Sequence, residues 1–169
     1  METGLTVGRQ RGRGHGTRPP IYYGIARNRS GGGAVLISNN RQSLKSRHRK
    51  KAERMQPGDR MVLYATGRQA FAFTATITSP YWEDHTMIWD GRQKGEDYPF
   101  RVRIQADVTL PEDDYVPAVG LLPALEFPRK WPAAHWHLAF QGNVHLIPAE
   151  DFATIEAALR AAQPAAVTS

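Results

Sequence analysis

The chain has 169 residues, a length that suits a single domain able to bury a genuine hydrophobic core. It has no cysteine, which excludes disulfides, thiolate zinc sites and cysteine nucleophiles. Its net charge of +6 is uneven: residues 1–60 hold 14 Lys and Arg against three acids, whereas residues 61–169 hold 8 against 13. A basic front half favours contact with a polyanion, although a basic tail and a solvated loop that aid solubility give the same pattern.

Location and domain limits follow from the same composition. No apolar run approaches the ~20 residues that cross a bilayer, and the first twenty residues lack the apolar core of a secretory signal. We therefore expect a cytoplasmic protein with no membrane partner. Residues 1–20 are Gly/Arg-rich and predict a disordered basic tail, because they cannot bury enough apolar surface to fold. One domain is expected over residues 21–163, followed by a frayed C-terminus over residues 164–169.

The first half of the domain predicts short strands between turns. Residues 21–26 favour a strand, and residues 34–38 favour a short strand or a buried turn of helix. Residues 42–55 carry dense basic charge with few apolar anchors, which is typical of a poorly amphipathic helix or a mobile loop. A Pro-Gly-Asp turn then precedes strands over residues 60–65 and residues 70–78, the second with clear two-residue periodicity.

The second half contains the clearest alternation. A loop rich in tryptophan and charge over residues 80–95 leads to a strand over residues 99–110, with Phe, Val, Ile, Ala and Leu on one face and polar residues on the other. A proline-punctuated connection reaches a predicted strand over residues 135–140. Proline and acids then begin a helix over residues 151–162. About five strands with one or two helices indicate a small barrel or an open sheet.

Catalytic patterns are weak in this sequence. It contains no phosphate-binding glycine loop, no GxSxG and no HExxH. The pair His135 and His137 suggests a histidine metal site, against the ordinary alternative that His137 makes one hydrogen bond or lines a pocket. We therefore expect a protein that is not an enzyme and that holds no metal and no cofactor.

Two tryptophans, Trp82 and Trp89, lie in the predicted loop. Such rings stack on bases or surround a methylated group, and the alternative is that they cap the end of the barrel. Capping is favoured for Trp82 and ligand binding for Trp89. Trp131 and Trp136 are expected to be packing residues.

Five segments, in order along residues 21–162, carry a family resemblance. They are YYGIARNR at residues 22–29, MQPGDRMVLY at 55–64, ATITSPY at 75–81, YPFRVRI at 98–104, and HWHLAFQG at 135–142 with PAEDF at 148–152. Together they resemble the EVE domain, a member of the PUA-like superfamily and a relative of the YTH readers of methylated RNA.

The resemblance implies an α+β fold, a PUA-like small mixed β-barrel of about five to six strands with flanking helices. It also implies a DNA or RNA partner and a pocket at the barrel end that holds a flipped, modified base between aromatic walls. The implied ligand pocket consists of Trp89, Asn28, Arg29, Ser38, Asn39, Asn40, Gln42, Trp82 and His137. Many relatives have a tryptophan just before the Asn40-containing stretch, and residues 34–38 here have none.

Basic side chains would supply the phosphate contacts, which give affinity without sequence choice. The expected phosphate-binding residues are Arg41, Lys45, Arg47, Arg49, Lys50, Lys51, Arg101 and Arg103. A non-catalytic nucleic-acid-binding domain is thus the leading hypothesis. A small-molecule-binding or regulatory partner protein that uses the same pocket is the alternative, and a histidine-based metalloenzyme is the third. The sequence does not decide whether the nucleic acid is DNA or RNA, or which protein partners the chain has.

Overall fold

The computed structural model describes residues 22–27, 35–37, 41–44, 49–85, 99–140 and 144–165, and in the first three ranges it defines the backbone alone. The strands in these ranges are β1 (Tyr22–Arg27), β2 (Val35–Ile37), β3 (Arg41–Leu44), β4 (Arg60–Ala65), β5 (Ala70–Ile77), β6 (Trp82–Glu83), β7 (Phe100–Thr109), β8 (Val116–Pro117) and β9 (Val144–Leu146). The α-helices are α1 (Arg49–Ala52) and α2 (Ala149–Ala162). The predicted α+β class is confirmed. The predicted basic tail and residues 166–169 lie outside the described ranges.

The strands form one mixed sheet in the order β2-β3-β7-β5-β4-β1-β9, with β6 paired to β7 and β8 paired to β5. The β1–β4 pair is parallel, and the other pairs are antiparallel. The long strand β7 joins strands β2, β3 and β6 to strands β5, β4, β1 and β9. Its first residues pair with β3 on one edge and β6 on the other, and its later residues pair with β5.

The core consists of two clusters of buried side chains. One includes Met61, Phe73 and Ile77, and the other lies where α2 covers the sheet. The α2 stripe of Phe152, Ile155 and Leu159 is fully buried, as its spacing predicts. Because apolar side chains pack on both faces of β5, the two-residue period of this strand leaves no solvent face along most of its length.

Two polar contacts attach α2 to the rest of the domain. Asp151, only 2% exposed, accepts backbone N–H bonds of 2.8–3.0 Å from Glu126 and Phe127. Arg60 at the start of β4 reaches Glu156 at 2.5 Å and Asp107 at 3.0 Å. These contacts fix the helix against the sheet, since each is at least partly shielded from water.

Four predictions of local structure need correction. The predicted loop over residues 80–95 contains strand β6 at Trp82–Glu83, which pairs with β7. The predicted strand over residues 135–140 is wrong, because Ala133–Phe140 forms 3-10 turns after a proline-rich segment. Of the two alternatives for residues 42–55, a helix or a mobile loop, the helix is present as the short α1. The same range also contains the end of strand β3, which was not predicted and which pairs with β7 despite its polar sequence. The even alternation over residues 99–110 fails near Ala106, which is exposed, because a bulge shifts the β5–β7 register there.

Within the described part of the chain, no helix combines the length and the apolar character needed to cross a membrane.

Candidate functional site

The polar face at the start of β7 brings together two arginines and a tryptophan. Arg101 and Arg103 are two residues apart on the strand, so they project to the same side. Trp82 on β6 lies directly opposite Arg101 in the register. The guanidinium carbon of Arg103 lies 6.0 Å from the centre of the Trp82 ring, at the outer limit of a cation–π contact.

The two arginines differ in exposure. Arg101 is 4% exposed, and its guanidinium pairs with the carboxylate of Asp84, whereas Arg103 is exposed. The same Asp84 donates its backbone N–H to the Pro99 carbonyl at 2.8 Å. This burial opposes the predicted phosphate contact at Arg101, because a covered guanidinium that already pairs with a carboxylate has little to offer a polyanion.

Strand β3 lies along the opposite edge of β7. The register aligns Arg41 with Arg103 and Gln42 with Val102. Directly opposed residues in an antiparallel pair share one side of the sheet. Two predicted phosphate contacts, Arg41 and Arg103, therefore occupy neighbouring positions on the same side.

Helix α1 carries three more of the predicted phosphate contacts, in different states. Arg49 pairs with Glu53 at 2.9 Å and Glu83 at 3.5 Å, and these carboxylates raise the pKa of its guanidinium. Lys51 donates from Nζ to the Val144 carbonyl, and burial lowers the pKa of this lysine. Lys50 is exposed. Of the three, Lys50 is the one with neither a carboxylate nor a carbonyl partner in the described ranges.

Most of the predicted pocket lies outside the described residues. This holds for Trp89, Asn28, Arg29, Ser38, Asn39 and Asn40, and also for Lys45 and Arg47 of the phosphate set. Their joint arrangement stays a prediction.

His135, Trp136 and His137 lie on the 3-10 turns of Ala133–Phe140, and Trp131 directly follows the turn Phe127–Lys130. His137 is partly buried, with its ring 6.2 Å from that of Trp136 and 6.1 Å from that of His135. Trp131 and Trp136 pack against the cluster beneath α2, which confirms their predicted packing role. Among the described residues, no three His, Asp or Glu side chains come together in a way that could hold a metal ion.

Sequence reasoning missed Asp84 as the partner of a buried arginine. The alternation of β7 places Arg101 and Arg103 on one polar face and gives no sign that one is covered. A carboxylate shortly after the aromatic pair Tyr81-Trp82, facing an arginine-bearing strand, was the available signal.

The fold is shared with YTH domains. The structure matches the YTH domain of the MRB1 protein of Zygosaccharomyces rouxii, solved in complex with N6-methyladenosine RNA, with a TM-score of 0.57 at 18% identity, covering 86% of this chain and 90% of that one. The Pho92 YTH domain in complex with m6A gives a TM-score of 0.52 at 13% identity, covering 83% and 84%. These likenesses establish the fold and confirm the expected structural relation to YTH domains.

Two further proteins are similar to this chain. The NMR structure of Rpa0253 from Rhodopseudomonas palustris matches with a TM-score of 0.51 at 17% identity, covering 88% of this chain and 99% of that one. A UPF0310 protein of Pyrococcus abyssi is 27% identical over 134 residues, which span 74% of this chain and 90% of that protein. No family model matches the chain. Membership of the EVE family therefore stays a prediction.

Proposed function

We propose that this chain is a non-catalytic nucleic-acid-binding domain of the EVE type, which holds one modified base of DNA or RNA. The observation that carries the proposal is the alignment of Arg41 with the exposed Arg103 across β3 and β7. Like charges directly opposite each other destabilise an antiparallel pair. A phosphate between them would remove that repulsion and gain charge-assisted hydrogen bonds.

The residues around Arg103 favour a bound anion over an ion pair within the protein. No carboxylate lies within ion-pair distance of Arg103 in the described ranges, whereas Arg101, on the same face, pairs with Asp84. Lys50 on α1 adds a second exposed cation, and Lys45 and Arg47 precede that helix in sequence. A nucleic-acid backbone is the polyanion that this basic segment suits.

Selectivity in this proposal comes from a base pocket. Trp89 would form one wall, with Asn28, Arg29 and residues 38–40 supplying polar contacts, and with Gln42, Trp82 and His137 nearby. Two proteins of the same fold were solved with N6-methyladenosine ligands, which supports a base as the object held. Phosphate contacts alone would bind any sequence, so the pocket is required for discrimination.

The phosphate part of the proposal is tested by salt dependence. Arg103→Ala should lower the slope of log K against log salt for a short oligonucleotide by about 0.7–0.9, the value of one phosphate contact. Arg68→Ala is the matched control, because Arg68 pairs with Glu112 on the surface at 2.8 Å. An unchanged slope in Arg103→Ala, with the fold intact, contradicts the proposed contact.

The pocket is tested with Trp89→Ala. We expect a loss of about 1–3 kcal/mol in binding an oligonucleotide that contains the preferred modified base, the usual value of one base–aromatic stack. Unmodified and modified strands of DNA and RNA should be compared in parallel. A denaturant melt of the same variant tests the alternative that Trp89 is a core residue, because truncating a core tryptophan would cost ~3–5 kcal/mol of folding free energy. If free nucleosides bind as tightly as oligonucleotides, a small-molecule-binding protein replaces the reader.

A further inference from the structure

Strand β6 presents a tryptophan whose position is fixed from several directions. Trp82 pairs with Arg101 in the sheet, and the next residue, Glu83, pairs with Phe100 in the sheet and contacts Arg49 of α1 at 3.5 Å. Asp84 then joins Arg101 through its carboxylate and Pro99 through its backbone. A two-residue strand held in this way fixes the backbone position from which the Trp82 side chain projects, which lowers the entropy cost of binding.

The distance between the Trp82 ring and the Arg103 guanidinium is longer than that between two planar groups stacked directly on each other. Stacked planar groups touch at about 3.5–4 Å, so a ring held between two of them needs ~7–8 Å from one to the other. The guanidinium carbon of Arg103 lies 6.0 Å from the Trp82 ring centre. This spacing exceeds direct stacking and falls about 1–2 Å short of holding a flat ring between the two groups. Because Arg103 is exposed, its long side chain can supply that movement.

We infer that Trp82 and Arg103 form a second base-stacking site, which holds an unpaired base next to the modified base in the bound strand. The inference rests on the proposed function and adds a distinct subsite to it. Tryptophan rings and arginine guanidinium planes are the two side-chain surfaces on which unpaired bases stack. The site accepts any base, because stacking uses the π-face that all bases share.

The surrounding charge favours a nucleotide over another aromatic ligand. Arg41 occupies the position opposite Arg103 in the register, so a phosphate next to the stacked base would have a second cation position nearby. The Asp84 carboxylate, which would repel a phosphate, is neutralised by the buried Arg101. The subsite thus combines a tryptophan on a firmly held strand, a movable planar cation and a local surplus of positive charge.

The direct experiment uses the wild-type chain and a set of nine-nucleotide single strands that contain the preferred modified base. In each strand one other position is made abasic, which removes the base and keeps the phosphate. We expect one position adjacent to the modified base to lose affinity by about 5- to 100-fold, the value of one stack, while the other positions change little. Equal affinity for all the abasic strands overturns the second site.

Variants assign the stack to its residues. Trp82→Leu keeps apolar bulk in the same place and should abolish the penalty of the critical abasic position, so that intact and abasic strands bind equally. Arg103→Lys keeps the charge and should reduce the penalty without changing the salt slope. Trp131→Leu is the control, because Trp131 is a partly buried tryptophan that packs against the cluster beneath α2 and should leave the penalty intact. A penalty that survives Trp82→Leu in a folded chain overturns the assignment.

The two proposals fail in different ways. Absence of binding to any oligonucleotide by the wild-type chain overturns the proposed function, and the second site with it. Binding that discriminates the modified base but shows no abasic penalty overturns the second site alone.

Discussion

Replacing Asp84 by asparagine should remove one charge of a mostly buried ion pair while preserving its shape. The side chain of Arg101 is 5% exposed and that of Asp84 is 30% exposed. The substitution leaves the guanidinium covered and removes the Asp84 charge that pairs with it. We expect the free energy of unfolding to fall, because an uncompensated charge is far costlier inside the protein than in water.

The size of the effect follows from the two exposures. Breaking a fully buried pair costs ~3–5 kcal/mol, and exposed pairs are worth ~0.2–1 kcal/mol. Since water reaches part of Asp84, we expect about 2–3 kcal/mol for Asp84→Asn. The matched comparison is Glu112→Gln in the pair with Arg68, whose side chains are 41% and 54% exposed. That change should cost less than about 1 kcal/mol.

Urea denaturation monitored by tryptophan fluorescence measures both variants. The charge argument also predicts that Asp84→Asn becomes much less costly in a chain that already carries Arg101→Met, because no buried cation then remains. Equal costs for Asp84→Asn and Glu112→Gln, or an unchanged cost in the Arg101→Met background, would refute the reasoning.

Two further predictions concern stability in the core and at high pH. Thr74 is fully buried and its hydroxyl has no hydrogen-bond partner in the described ranges, so Thr74→Val should stabilise the chain by about 1 kcal/mol in a urea melt. Thr76→Val should destabilise it by a similar amount, because Thr76 donates to Asp107 at 2.7 Å; the same sign for both would contradict this. Burial raises the pKa of Tyr64 from 10.0 to about 12, so its share of stability is present below pH 10 and is lost between pH 10 and 12, up to ~2.7 kcal/mol. Tyr64→Phe should therefore lose less stability than the wild-type chain over that interval, and equal losses would count against the buried tyrosine.

Sequence patterns predicted the strongly periodic elements well. The stripe of α2 and the strands β5 and β7 follow from the spacing of apolar side chains, and β4 follows from the Pro-Gly-Asp turn before it. Helix α2 begins only two residues before the predicted start. Strand β3 was missed because it is held by backbone bonds to β7, which leave no apolar signature in the sequence. The segment over residues 133–140 misled because three alternating apolar residues fit a short strand as well as a 3-10 turn.

The candidate site was predicted less completely, because the sequence does not show which basic side chains are already paired with other residues. Composition counts every Lys and Arg of the basic segment and of β7 as an available cation. In the described ranges, Arg49 is paired with two carboxylates, Lys51 donates to a backbone carbonyl, and Arg101 is covered and paired with Asp84. Such partners come from other elements of the fold, so no local sequence pattern predicts them.

This pairing changes what the basic charge can do. Cations that are already neutralised contribute little to counterion release, so the slope of affinity against salt should be smaller than the Lys and Arg count implies. Arg103 differs from them because it is exposed, lies near Trp82 and is opposite the position of another arginine, Arg41, on β3. Arg101 is buried and paired with Asp84 next to the strand that carries Trp82, whereas Arg103 is exposed. Under the proposed function, Arg103 is therefore the one of these two neighbouring arginines that is available to a bound strand.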